Sequence, residues 1–208
     1  MAENIPSREP GYPWRKYNKE VNWSAARRHL NQYEELLNIN RNDLVGKKVL
    51  DIGSGRGFFA AEAQEYGANV IPAEPYAPLP IESIADADAP VPENQVAAWG
   101  EQLPFQENTF DLITSVFSAF YYSPHIDRVL TESIRVLKQG GELRIAPLFR
   151  TARPTETSGP TQNQEAIPLM DDPEFKNALE PLIQKGTVSL DIVEDKNGDP
   201  QTLVIKKL

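Results

Sequence analysis

From residue 48 onward, short apolar runs alternate with stretches of helical periodicity, the pattern of βαβ units around a parallel sheet. Lys48 to Ile52, Ala68 to Ala73, Phe110 to Val116 and Glu142 to Pro147 predict strands. Phe58 to Tyr66 and Ile126 to Leu137 predict helices, the second stopped by Gly140-Gly141. Asp172 as N-cap and Pro173 at the first helical position predict another helix, which Gly186 ends and which has Pro181 inside it. The alternating runs Val188 to Val193 and Thr202 to Lys206 predict a hairpin. Upstream, Ala26, Leu30, Tyr33 and Leu37 recur at spacings of four, three and four, the stripe of an amphipathic helix over residues 25–38 with Ser24 as its N-cap. Residues 151–165 carry no large apolar side chain and read as a mobile loop.

Length and charge narrow the picture. With 208 residues, the chain holds one domain over 45–208 and an N-terminal arm and helix over 1–44, which depends on that body for a surface to pack on. The net charge is −9, and it is unevenly spread: residues 1–48 hold nine Lys or Arg against six Asp or Glu, the remainder twelve against twenty-four. This balance disfavours nucleic acid and anionic membrane surfaces as partners. The absence of Cys excludes disulfides, thiolate zinc sites and a cysteine nucleophile, and two His make a His-rich metal site a poor expectation. No run of 18 apolar residues occurs, and MAENIPSREP has no basic and apolar leader pattern, so a cytoplasmic protein is expected. Oligomeric state is not legible.

The segment VLDIGSGRGFFA places Asp51 at a strand end, then Gly53, Gly55 and Gly57 at alternate positions before a helix, where open α/β sheets bind ligands. The dinucleotide pattern G-x-G-x-x-G fails because Phe58 stands at its third glycine, and no Gly-Lys-Ser/Thr follows to make a P-loop. The 71 residues from Gly57 to Asp127 contain neither Lys nor Arg, which suits a cationic or zwitterionic ligand better than a phosphate-bearing one.

Asp51-Ile52-Gly53-Ser54-Gly55-Arg56-Gly57 resembles motif I of class I S-adenosylmethionine-dependent methyltransferases. Three further segments are similar to that family in the same order. Glu74 stands where the family places the acid for two ribose hydroxyls. Glu101-Gln102-Leu103-Pro104-Phe105 with Asn108 to Ile113 resembles E-x-LPF…SFDLV, and Arg135 to Gly141 resembles RVLKPGG. The set covers about residues 47–147 and is similar to the type 11 subgroup, which acts on small molecules. The resemblance implies an α/β, Rossmann-like three-layer sandwich: a seven-stranded, mostly parallel sheet in the order 3-2-1-4-5-7-6, with an antiparallel C-terminal hairpin strand. It also implies S-adenosyl-L-methionine as cofactor, held by Asp51, Gly53, Ser54, Gly55, Glu74, Pro75, Gly100, Glu101 and Ser115. A carboxylate such as Glu74 suits a ribose diol because each hydrogen bond it accepts is charge-assisted. Donors at the glycine loop suit the methionine carboxylate.

The chain departs from that pattern at two places. Trp99-Gly100 stands where many members have Asp-Ala, which leaves Glu101 or backbone groups for the adenine and Trp99 either to stack on it or to fill the third strand's core. Pro72 interrupts the second strand's ladder, and Pro75, Pro78, Pro80, Pro90 and Pro92 between the second and third strands leave room only for a short helix over residues 81–89. The expected activity is methyl transfer to a small-molecule acceptor, and the alternative is a methyltransferase-like binding protein without catalysis. His125 is the candidate base because imidazole exchanges protons near neutrality, with Tyr121 beside it. Tyr17, Tyr122 and Arg150 are candidate acceptor contacts from the arm, the turn after the fourth strand and the insert after the fifth.

Overall fold

The computed structural model describes residues 28–75, 77, 92–151 and 166–208. Tyr17, the Ser24 cap, the helix expected over 81–89 and all of the loop expected over 151–165 except Thr151, which is in a strand, lie outside these residues. The main sheet contains β1 (Lys48–Ile52), β2 (Asn69–Ala73), β3 (Phe110–Val116), β4 (Leu137–Ala146), β7 (Val188–Glu194) and β8 (Pro200–Lys207). Its order is β2-β1-β3-β4-β8-β7, parallel except where β8 runs against both β4 and β7. A second sheet pairs β5 (Phe149–Thr151) with β6 (Ala166–Pro168).

The α/β three-layer architecture matches expectation, with six strands in the main sheet where seven were predicted. The missing outer strand is reduced to one parallel bridge between Val96 and Ala73. Pro72 supplies the physical reason. Its carbonyl accepts from Val96 N at 2.9 Å, so it faces outward, and the N–H that proline lacks would have faced the same way. The ladder with β1 therefore stays intact while the outer ladder loses a donor. Asn94 Nδ2 donates to Val70 O at 2.8 Å, a side chain doing there what a strand backbone would do.

Alternation along the strands sorts side chains to two faces. Leu50 and Ile52 of β1 with Leu143 and Ile145 of β4 meet α3 (Ala119–Tyr122), α4 (Ile126–Val136) and α5 (Pro173–Gln184). Val49, Leu112, Val116 and Ala146 face α1 (Leu30–Leu37) and α2 (Phe58–Glu65). The helix expected over 25–38 begins, among the described residues, at Leu30: His29 is its extended N-cap, and Glu62 of α2 accepts from Leu30 N at 2.7 Å and contacts His29 Nδ1 at 2.5 Å. At the other end of α1, Gln201 donates to Glu35 O, Thr202 to Leu36 O, and Arg144 to Leu37 O and Asn38 O. The sheet thus satisfies the helix's orphan carbonyls. The predicted stop at Gly140-Gly141 is also corrected: α4 ends at Val136, and both glycines lie within β4 beside a register shift opposite Phe110 and Leu112.

Tyr33 joins α1 to the sheet. Its ring stacks on Phe59 at 4.0 Å, and its hydroxyl donates to the buried Asp51 carboxylate, with Oη 2.9 Å from Oδ2 and 3.1 Å from Oδ1. Tyr33→Phe deletes this donor without changing shape, so chemical denaturation is expected to show a loss of about 1–2 kcal/mol. An unchanged midpoint would mean that Thr114 alone suffices for Asp51.

Candidate active site

The candidate site forms at the carboxyl ends of β1, β2 and β3. Gly53 follows β1 at φ 72, and a Cβ built on it would fall 2.3 Å from Ser118 Cβ. The glycine permits this close approach because it has no side chain. Ser118 Oγ donates to Ile52 O at 2.6 Å and lies 2.7 Å from Ser115 Oγ, so one hydroxyl chain ties the end of β1 to the turn after β3. Gly53 N and Ser54 N both donate to Ala73 O, at 2.8 and 3.1 Å, which locks the loop to the end of β2.

Glu74, 8 % exposed, follows β2 directly and accepts from Gly55 N at 3.1 Å through Oε2. The ribose acid and the glycine loop named from sequence therefore occupy one place. Pro75 continues the same turn, in which Ala77 N donates to Glu74 O at 3.1 Å. Gln95 Nε2 donates to Gly55 O at 3.1 Å, which ties residues beyond the proline-rich segment to the loop. Asp51 points to the α1–α2 face, where Thr114 Oγ1 donates to it at 2.9 Å in addition to Tyr33. Its carboxyl is pushed up to about 6 by burial, against the opposing pull of the Thr114 and Tyr33 hydrogen bonds and of Arg28.

On the opposite side, Gly100 packs where a Cβ would meet Ala119, Ile52 and Val129 at 3.0–3.3 Å. Glu101 Oε1 accepts from Ser123 Oγ at 2.5 Å, and Ser123 Oγ accepts from His125 N at 2.9 Å. That chain fixes the entry to α4, whose N-cap is His125. Tyr121 stands among rings: Phe117 at 5.7 Å, Tyr122 at 4.6 Å and Phe149 at 5.9 Å between centroids. Tyr122 is 48 % exposed, and its phenol is raised above its ordinary value by burial and by Tyr121, with Arg28 pulling it down. Arg150 lies on β5 opposite Ile167. An apolar cavity of about 320 Å³ adjoins this rim, lined in part by Leu36, Leu148, Phe149 and Pro168.

Sequence reasoning missed Arg28, Tyr33 as a partner of Asp51, and Ser118. Arg28 lies 89 positions before its ring partner in β3's exit turn, and its guanidinium sits 5.3 Å from the Phe117 centroid. The stretch without cations between Gly57 and Asp127 is thus supplied with one from another part of the chain. No local signal marks it; Ser118 is equally silent, since only the fold sets it against Gly53.

Residues 50–145 match the family model described as a methyltransferase domain. The sterol 4-C-methyltransferase of Caenorhabditis elegans is 33% identical over 105 residues, which are 49% of this chain and 31% of that protein. The phthiotriol/phenolphthiotriol dimycocerosates methyltransferase 1 of Mycobacterium ulcerans is 29% identical over 141 residues, 65% of this chain and 48% of that protein. The chain spans less than half the length of these curated relatives. The crystal structure of the S-adenosylmethionine-dependent methyltransferase from Mesorhizobium loti has the same fold: TM-score 0.50 at 17% identity, covering 85% of this chain and 96% of that one.

The residues present fit S-adenosylmethionine. Ser54 Oγ is buried with no hydrogen-bond partner among the described residues, an arrangement that costs about 1–3 kcal/mol until a ligand supplies one. Beside it stands Glu74, an acceptor carboxylate at the end of β2, a group whose charge-assisted hydrogen bonds suit a ribose diol. Residues 50–145, a little under half of the chain, are thus similar to a methyltransferase domain, and S-adenosylmethionine is the cofactor that this similarity implies.

Proposed function

We propose that this chain transfers the methyl group of S-adenosylmethionine to a small-molecule acceptor seated beside the exit turn of β3. The observation that carries the reading is the meeting of Glu74 with Gly55 N at 3.1 Å, which brings acid and glycine loop to one point. When bound, the cofactor supplies a sulfonium methyl carbon open to in-line attack. Glu74 accepts the ribose hydroxyls, Ser54 Oγ gains its partner, and Gly53 with Gly100 keeps the backbone close. Asp51 serves from beneath, holding β1 to α1 and β3.

On the acceptor side, Tyr121, Tyr122 and Phe149 offer faces and edges that orient an apolar body. His125, held at the start of α4 by Ser123, is the proposed proton acceptor for an O–H or N–H nucleophile, with Tyr121 as the neighbouring hydroxyl. Alignment rather than chemical activation is the larger contribution in such a displacement. A small-molecule acceptor accords with the relatives, a sterol 4-C-methyltransferase and a phthiotriol/phenolphthiotriol dimycocerosates methyltransferase. No described helix is long and apolar enough to cross a membrane.

Calorimetric titration with S-adenosylhomocysteine tests the reading. Glu74→Gln keeps shape and one carbonyl acceptor but loses charge, so affinity is expected to fall about tenfold. Wild-type protein that does not bind S-adenosylhomocysteine would overturn the cofactor reading, and a Glu74→Gln variant that binds as tightly as wild type would remove Glu74 from it.

A further inference from the structure

Four N–H groups of the glycine loop are already committed: Gly53 and Ser54 to Ala73 O, Gly55 to Glu74 and Gly57 to Ser54 O. The loop therefore does not offer them to an incoming carboxylate. Glu74 is a buried acid at the loop and Asp51 is buried beneath it, so a further carboxylate placed there needs a cation nearby. Arg56, within the loop, is 6 % exposed and already has a partner.

Arg28 meets the requirement. It is half-buried at the entry to α1, stacked over Phe117, and it makes no hydrogen bond or ion pair among the described residues. A guanidinium carries five donors in a planar fork that matches a carboxylate. Its charge opposes the upward shifts that burial imposes on Asp51, Tyr33 and Tyr122, so its field reaches both the end of β1 and the acceptor rim. Phe117, which holds it, is a non-glycine residue in the left-handed region at φ 47, a conformation that a side chain disfavours. Phe117 N donates to Ala146 O at 2.8 Å, which keeps this strained turn in place at the junction of β3 and β4.

We infer that Arg28 is the carboxylate anchor of this site, binding a ligand carboxylate over the exits of β1 and β3. Two sources share that chemistry: the amino-acid end of the cofactor, and an acceptor with a carboxylate on a flat apolar body lying against Tyr121 and Phe149. The first source rests on the proposed function; the second does not.

The experiment titrates wild type, Arg28→Gln and Arg28→Lys with two matched ligand pairs. S-adenosylhomocysteine is compared with 5′-methylthioadenosine, which lacks the amino-acid end, and 2-naphthoate with 2-naphthamide. For the cofactor source, Arg28→Gln weakens S-adenosylhomocysteine by about tenfold or more and leaves methylthioadenosine unchanged, with Arg28→Lys between. For the acceptor source, the same pattern appears in 2-naphthoate against 2-naphthamide. Unchanged methylthioadenosine or naphthamide binding shows that the variant is folded. The assignment is overturned if wild type prefers neither carboxylate to its neutral partner, or if Arg28→Gln changes both members of each pair equally or neither. Wild type that binds neither adenosine ligand removes the cofactor reading while the naphthoate pair still decides Arg28.

Discussion

Replacing Gly53 by alanine is expected to destabilise the protein by about 3 kcal/mol, combining roughly 1–2 kcal/mol for a left-handed non-glycine residue with overpacking of similar size. The backbone stands at φ 72, and the new methyl would lie 2.3 Å from Ser118 Cβ and 2.9 Å from its Oγ. Ser118 cannot swing away cheaply, because Cβ moves only with the backbone and Oγ is held by Ile52 O and Ser115. Relief requires the exit turn of β3 to shift, and that turn places Phe117 and Tyr121. S-adenosylhomocysteine binding is therefore expected to fall with stability. Urea unfolding of the single variant and of Gly53→Ala/Ser118→Gly measures the effect: the double variant removes the clashing Cβ and should recover part of the loss. A Gly53→Ala protein as stable as wild type would show that the contact is not tight.

Stability is expected to decline between pH 4 and 7 through Asp51, by about 3 kcal/mol when the two-unit rise is converted at 1.36 kcal/mol per unit. The folded-state pKa is about 6 against an ordinary 3.8. Because the folded protein holds this proton more tightly than the unfolded chain, the contribution is fully present below the ordinary value and is lost as pH rises through about 6. Burial causes the rise; hydroxyls from Tyr33 on α1 and Thr114 on β3, and the charge of Arg28 before α1, oppose it without prevailing. Asp51→Asn keeps the shape and an acceptor for these hydroxyls while removing the titration. Denaturant midpoints at pH 4.5 and 7.5 should therefore show wild type losing more stability than Asp51→Asn across that interval, and parallel changes in the two proteins would contradict the assignment.

Much of the sheet was legible in the chain. β1, β2 and β3 begin or end within a residue of their expected limits because each is a short apolar run beside a turn, a signal carried by neighbours in sequence. Glu74 was legible for the same reason: it ends a strand, so its position relative to the loop after β1 follows from parallel pairing. The outer strand was less legible. Pro72 marked a defect in the ladder, but whether the lost donor faced β1 or the edge depends on register, and register is settled only when the strands pair. The ends of α1 and α4 were shifted by partners distant in sequence, Glu62 for the first and the pairing of Leu137 with Phe110 for the second.

By itself the sequence determined the fold class and the place of the glycine loop, because these are local patterns of hydrophobicity, turn chemistry and spacing, and its resemblance to methyltransferase motifs singled out Glu74. Only the tertiary structure decided which charges share the site. The cation-free interval that suggested a sulfonium surround is a statement about distance along the chain, whereas electric fields act through space. Folding brings Arg28 over Phe117 and within reach of Asp51, and it turns Asp51 away from the loop toward Tyr33. The acidic site therefore has a guanidinium beside it that no reading of neighbouring residues reveals.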